Sequence, residues 1–498
     1  MSFAVEMTGI SKRFGEVAAL DSVDLHVKQG TIHAVVGENG AGKTTLMKAL
    51  YGALQPDSGT ISIEGHPVTL RSSAQAIEKG VGMVSQHYGI IPDLSCLQNL
   101  ILGAEGGPFL NLAEAASRAE WLATKMGFQF DWNRDAAELS PAGAQKLEIL
   151  KLLWRNSRIM ILDEPTAMLS PADGEALFQS LRLLVAEGNT VVLVTHRLPE
   201  VFGYCSRVTV LRGGKRVEEK AVSDTNPAEL AELIVGKRLE PPSAHVPKVG
   251  EVVLEVSNLD VKGYRGDRAT KSLNLKVSAG EVVGIAGVDG SGQRELFHAL
   301  LGTTPVQGGA ITLLGKDASK LDGWDRLNAG MRAIPEDRHA EAVVEEWSLD
   351  ENAALGLQRR APFAKGRLVQ ERARNDASIQ MAERFNTKHG GVNLPIASLS
   401  GGNQQRFVAA RALYGEPKLI LAFQPARGLD LAATRDVYDG IRAECDRGAA
   451  ALVVSYDLDE LLEHCDRIVV MNRGELLEPN SGEGKDSEVI GRLMVGAG

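Results

Sequence analysis

The sequence predicts an α/β chain of two like domains, each a mostly parallel sheet covered by helices. Three observations carry that expectation. The chain has 498 residues, 44% hydrophobic and 24% charged, which is too long for one core and comfortable for two. It also repeats itself: LDSVDLHVKQGTIHAVVGENGAGKTTL, from Leu20, lies over TKSLNLKVSAGEVVGIAGVDGSGQREL, from Thr270. In each half a β-branched run, AVVG ending at Gly37 and VVGIAG ending at Gly287, leads into a glycine-rich turn and a helical pattern. The strand-rich runs IMIL and VVLV follow later in the first half, and such strand–helix alternation builds a parallel sheet.

The repeat continues with ELSPAGAQK over SLSGGNQQR, which sets Leu139 on Leu399, Pro165 on Pro425 and His196 on Tyr456. At these positions the spacing has grown by about ten residues, so the second half carries a midway insertion. Between the repeats, RLEPPSAHVPKVG holds three prolines and no hydrophobic period, the character of an extended connector. The expected division is therefore a first domain over 1–237, a linker over 238–250 and a second domain over 251–498.

Composition narrows the class. No apolar run approaches the roughly 18 residues of a membrane helix, and the opening MSFAVEMTGISKRF has no apolar stretch like that of a secretory signal. A soluble chain working in the cytoplasm is the expectation. Cys96, Cys205, Cys445 and Cys465 form no C-x-x-C pair, so four small buried hydrophobes are expected and no metal or disulfide role. A net charge of −10 lacks the basic excess of a nucleic-acid coat.

Chemistry concentrates in the first half. Gly37, Glu38, Asn39, Gly40, Ala41, Gly42, Lys43 and Thr44, followed by Thr45, fit G-x-x-x-x-G-K-[ST] after a strand and before a helix. Glycines let backbone N–H groups curl around phosphate, Lys43 can reach the β and γ oxygens, and the Thr44 hydroxyl can ligate Mg²⁺. A glycine turn serving structure alone would not need Lys43 followed by Thr44. RIMILDEP then delivers Asp163 toward a Mg²⁺ shell and Glu164 beside the γ-phosphate, where it can polarise an attacking water. Capping a helix is the plain alternative for either carboxylate. Gln86 and His196 follow further strands and can end near the same phosphate, Gln86 as water or Mg²⁺ ligand and His196 as phosphate contact. Phe14 can stack on adenine or sit in the core.

Together these residues resemble the ABC ATPase family over nearly the whole chain, in the order aromatic loop, Walker A, Q-loop, signature, Walker B, D-loop and H-loop. The resemblance implies two tandem P-loop nucleotide-binding domains, each with a mostly parallel core sheet, an antiparallel β subdomain and a helical subdomain. It also implies that ATP on one domain's phosphate loop is closed over by the signature of another. The departures from pattern then become readable. In the second half Gln293 and Arg294 replace the Walker A lysine and threonine, and Phe423 and Gln424 replace the Walker B carboxylates. Glu336 stands for the Q-loop glutamine and Tyr456 for the histidine. Its signature, Leu399-Ser400-Gly401-Gly402-Asn403, is intact, and Asp430 keeps the D-loop aspartate. The first half is the reverse: Leu139-Ser140-Pro141-Ala142-Gly143 has lost signature glycines that let backbone approach phosphate, and Ser170 stands in its D-loop. All departures thus fall in one composite site. The other joins Lys43, Thr44, Gln86, Asp163, Glu164 and His196 to the loop Ser400, Gly401 and Gly402.

Finer cues, among them GVDGSGQREL, IPEDRH and the carboxylate-free LILAFQPARGLD, look like the tandem ATPases of bacterial nucleoside importers, with simple-sugar importers second. The implied cofactors are ATP and Mg²⁺. The implied partners are two integral-membrane permease subunits and, indirectly, an extracellular solute-binding protein, with the chain peripheral on the cytoplasmic face of the membrane. Soluble tandem ABC proteins of the ribosome are a different class. They resemble two complete ATPases joined by a long charged arm, unlike this short prolyl connector.

Overall fold

The six residues Ile32–Gly37 are all buried, as a strand must be when both faces of its sheet are covered. The computed structural model describes residues 2–15, 17–85, 89–104, 111–139, 141–166, 169, 171–236, 246–263, 269–288, 290–366, 368–480 and 485–495. Two compact units emerge, Met1–Glu240 and Pro241–Gly498.

In the first unit Ile32–Gly37 lies in a six-stranded sheet between Arg207–Arg212 and Thr190–Val194, followed outward by Ile159–Asp163 and Val81–Val84. These five strands run parallel, and Lys215–Ala221 closes the far edge antiparallel to Arg207–Arg212. Side-chain alternation splits the core in two. Ala34, Val36, Met160, Leu162, Val191 and Leu193 face a helix-covered core. Val35, Ile159, Ile161, Val192 and Val194 face a second core, shared with Leu46, Met47 and Leu50 and with an antiparallel sheet. That sheet runs in the order Val17–Lys28, Phe3–Phe14, Ser58–Ile63, His66–Val68. The alternation fixes the direction of Asp163: it shares the parity of Ile159 and Ile161, the face on which the helix Lys43–Leu50 packs.

The second unit repeats the plan. Its six strands are ordered Met331–Ile334, Leu419–Phe423, Ala450–Val454, Val282–Ala286, Arg467–Asn472, Glu475–Leu477, beside an antiparallel sheet of Leu273–Ser278, Val252–Val261, Val306–Leu313 and Lys316–Asp317. A small hairpin, Ala364–Lys365 with Leu368–Val369, stands between the helices Leu349–Ala353 and Glu371–Arg384. It lies in the stretch where the repeat spacing grows. All four cysteines are free and buried, and burial pushes the thiols of Cys205 and Cys445 up to about 12. Among the described residues no helix is long and apolar enough to cross a membrane.

Candidate nucleotide site

The phosphate loop is shaped by glycines that nothing else can replace cheaply. Gly42 caps the helix Lys43–Leu50 in the left-handed conformation, φ 101°. A Cβ there would meet the Ala19 carbonyl oxygen at 2.6 Å and Leu20 Cδ2 at 2.8 Å. On Gly37 a Cβ would stand 2.2 Å from the Leu211 carbonyl oxygen. The loop is thus wedged between the turn at Ala19 and the neighbouring strand. Its tip, Asn39 and Gly40, is exposed and leads into a helix start, an end of the helix that favours an anion.

Lys43 is 7% exposed and folds back over the loop, its Nζ donating to the Gly37 and Glu38 carbonyl oxygens at 2.7 and 3.1 Å. Ala41 N–H donates to Glu38 O at 3.0 Å, closing the turn. The next residue, Thr44, is exposed and its Oγ1 donates to Asp163 Oδ2 at 3.1 Å. Thr45 is half-buried on the same helix turn. Burial first, and the Glu164 charge second, push the Asp163 carboxyl above the usual carboxylate range, against the Thr44 hydrogen bond and Lys43. A hydroxyl and a carboxylate oxygen at this spacing are donors that a hard divalent cation takes, with water and phosphate oxygens completing its shell.

Glu164 leaves the strand in a left-handed conformation, φ 51°, and its N–H is tied to Val194 O at 2.8 Å. This bond joins the ends of two adjacent parallel strands and aims Glu164 at His196: His196 Nδ1 lies 3.0 Å from Glu164 Oε1. Each group moves the other. Burial raises the Glu164 carboxyl, but the His196 hydrogen bond and charge, with Lys43, outweigh it and leave the carboxyl below its ordinary range. Burial lowers His196, but the Glu164 hydrogen bond and charge win and hold the imidazole above its ordinary value. Neither carboxylate caps a helix, since the next one is Pro171–Ala186.

One residue that sequence reasoning missed supports this pair from below. Glu200 is 6% exposed; it accepts from Thr195 Oγ1 at 2.7 Å and from Thr166 Oγ1. Thr195 Oγ1 in turn accepts from Arg197 N–H at 3.0 Å. The loop after Asp163 and the loop holding His196 are therefore pinned to one carboxylate. In sequence Glu200 is one more glutamate in a short helix, and no spacing rule singles it out. The second unit keeps half of this arrangement: Glu460 accepts from Ser455 Oγ at 2.7 Å, but its other donor is Tyr438 OH at 2.6 Å, from the helix Leu431–Asp446.

Of the residues expected in the site, Gly37 to Thr44, Asp163, Glu164 and His196 come together. Phe14 ends the strand Phe3–Phe14, 52% exposed, with Lys12 Nζ 5.9 Å from its ring centre; it is a surface aromatic and not a core one. Gln86 lies outside the described residues. Ser400 caps the helix Gly401–Ala412 of the second unit, and its Oγ accepts from Asn403 Nδ2 at 2.9 Å. Where the first unit has Asp163 the second has Phe423, 1% exposed and packed edge-on against Phe297 and Tyr456 at 5.4 and 5.9 Å.

A profile of the ABC transporter family matches this chain twice, at residues 20–167 and 270–426. The chain belongs to the ABC transporter family. It carries two ABC ATP-binding domains in tandem. The nucleoside import ATP-binding protein NupA of Lactococcus lactis subsp. cremoris (strain MG1363) is 37% identical over 99% of this chain and 98% of its own length. The guanosine import ATP-binding protein NupO of Bacillus subtilis (strain 168) is 36% identical over 100% of this chain and 98% of its own. The glucose import ATP-binding protein TsgD13 of Haloferax volcanii is 36% identical over 99% and 96%. The ABC transporter relatives thus run the length of both units and carry both solute classes in their names.

Proposed function

We propose that this chain is the ATP-hydrolysing subunit of an ABC importer and energises nucleoside uptake through separate permeases. The observation that carries the enzymatic part is the first unit's set: a formed phosphate loop, the Thr44–Asp163 pair and the Glu164–His196 pair. ATP lies with its phosphates on the loop from Gly37 to Thr44, and Phe14 supplies an exposed ring for the base. Thr44 and Asp163, with Gln86, are the residues that would hold Mg²⁺; bound there, the ion screens phosphate charge. Glu164, ionised at neutral pH, orients and deprotonates the water, and His196 contacts the γ-phosphate while fixing Glu164. Two permease subunits and an extracellular binding protein complete the reading, with the chain at the cytoplasmic face. The trans contribution of Ser400, Gly401 and Gly402 rests on the family resemblance and on the segregation of the departures. The domain limits 1–237 and 251–498 and the linker 238–250 belong to the same reading.

Nucleosides come first because relatives named for nucleoside and guanosine import match over both units. The glucose importer of similar identity makes a simple sugar the second reading. Uptake of labelled nucleosides and labelled pentoses by cells with and without the chain separates them. Loss of pentose uptake alone would reverse the ranking, and loss of neither would sink the importer reading.

A further inference from the structure

The strand Met331–Ile334 carries Arg332 where its first-unit counterpart, Val81–Val84, carries Gly82. Arg332 is 5% exposed. Its Nη1 is tied to backbone, donating to Leu327 O and Met331 O at 2.9 and 2.7 Å. The opposite edge of the guanidinium is unused. Nε is buried without an acceptor, and Nη2 donates to nothing among the described residues. The N–H bonds on that edge run parallel, as a fork that grips two oxygens of one anion.

Arg332 lines a cavity of about 640 Å³, together with Leu357, Arg360, Pro362, Phe363 and Tyr414, a size ordinary for a small-molecule site. Arg360 is half-buried, and its Nη2 donates to Asn328 O at 2.6 Å. Two guanidinium groups therefore share the cavity, and neither makes an ion pair among the described residues. Glu416, beside the cavity's Gly415, is exposed and pairs with neither. Burial first, and the Arg360 charge second, bring the Arg332 guanidinium down to about 10, with no acid opposing them. The groove at the matching place in the first unit is different. There Glu148, 7% exposed, pairs with Lys151 at 2.8 Å. In the repeat those two positions are taken by Val408 and Arg411, and Arg411 donates to the carbonyl oxygens of Asn352 and Ala342 at 3.0 and 2.6 Å. The first groove holds its own carboxylate, and the second leaves its arginines to an anion from outside.

The remaining walls narrow the class of anion. Phe363 and Tyr414 meet edge-on with ring centres 5.9 Å apart, and with Leu357 and Pro362 they make an apolar side to the cavity. A monocarboxylate would match one of the two charges, whereas a phosphate monoester carries about 1.5–2 negative charges at neutral pH. We propose that this cavity of the second unit binds a small phosphate monoester with an apolar body. The phosphate takes the Arg332 fork and Arg360, and the body lies against Tyr414 and Pro362. Arg360, Pro362 and Phe363 lead into the hairpin Ala364–Lys365, so the extra length of the second half acquires a use.

The test is calorimetric titration of the full chain with phenyl phosphate, benzoate and inorganic phosphate. One phenyl phosphate per chain is expected, with an affinity that Lys43→Ala does not change, which separates this site from the first phosphate loop. Arg332→Met and Arg360→Ala should each weaken it at least about tenfold. Benzoate, with a single charge, and inorganic phosphate, with no body for the apolar wall, should bind more weakly. Because Arg360 is half-buried, Arg360→Ala decides the matter if Arg332→Met does not fold. No phenyl phosphate held at millimolar concentration overturns the proposal. So does binding that Lys43→Ala abolishes, that either arginine variant leaves at full strength, or that benzoate or inorganic phosphate equals.

Discussion

Glu164 is held by backbone on one side and by His196 on the other, so its chemistry and its environment can be separated by substitution. Glu164→Gln keeps the shape and removes the base. Turnover should fall by about 10²- to 10⁴-fold while ATP affinity stays. Retention of a tenth of the wild-type rate, by roughly the same reasoning, would remove Glu164 from that role. The same variant should change His196. With the Glu164 hydrogen bond and charge gone, burial dominates and only the weaker pull of Glu200 opposes it. The imidazole midpoint, raised in the wild type, should drop below the ordinary histidine value, read by proton NMR with His196→Asn to assign the signal. A midpoint that stays or rises contradicts the pairing. Lys43→Ala differs again, because it removes a charged donor used in ground and transition states alike. ATP affinity should weaken by about ten- to a hundredfold, and an unchanged dissociation constant by titration calorimetry would count against the phosphate contact. At this scale residue type and spacing were enough to expect that Lys43-Thr44 and Asp163-Glu164 gather at one place, and the structure brings them together. The sequence was silent on Glu200, whose role depends on two hydroxyls brought together only by the sheet.

At the scale of elements, the strand-to-helix turns hold the site, and their glycines do unequal work. Gly40 has open space around its missing Cβ, whereas Gly42 is pressed against Ala19 and Leu20. Both take a left-handed conformation, which costs a residue with a Cβ about 1–2 kcal/mol. Gly40→Ala should therefore lower the melting temperature by no more than about 2–8 °C without nucleotide. Gly42→Ala should lower it further, because backbone must move. Equal shifts by calorimetry would mean that the Ala19 contact yields without cost. The parallel strands were legible as apolar runs, and the turn as a motif. Which face of the strand Ile159–Asp163 the carboxylate takes was not, because parity has meaning only once the two cores are formed. The hairpin at Ala364–Lys365 and Leu368–Val369 showed in sequence only as extra length, since two-residue strands leave no hydrophobic period.

For the whole molecule, the two halves share a backbone plan and differ in the residues at their phosphate loops and strand ends. The family resemblance implies that catalysis by Glu164 needs the signature of the other half. Gly402→Asp should then abolish hydrolysis, because a carboxylate there opposes the γ-phosphate oxyanion in a poorly hydrated cleft. Ala142→Asp, at the matching place in the first half, should matter far less. ATPase rates of both variants in the assembled transporter decide it, and equal losses or a larger loss for Ala142→Asp would overturn the one-active-site reading. The sequence alone exposed this difference, by aligning the chain with itself. What it left hidden was the filling of the second site by Phe423, Phe297 and Tyr456 and by the Arg294–Glu336 pair, contacts between residues far apart in the chain.

The placement of Ile32–Gly37 between Thr190–Val194 and Arg207–Arg212 bears on how the protein is made. The phosphate-loop motif leaves the ribosome early, but the carbonyl that walls Gly37 belongs to Leu211, and Gly214 N–H bonds to Ala41 O at 3.2 Å. None of these partners comes from the second unit. Since domains fold as units from the N-terminus during synthesis, the first phosphate loop should mature on the nascent chain while the second half is still untranslated. Stalled chains should gain protease resistance around the loop once Gly214 and the helix Pro227–Val235 have cleared the exit tunnel. Resistance that appears only after release of the complete chain would show that the first unit waits for the second.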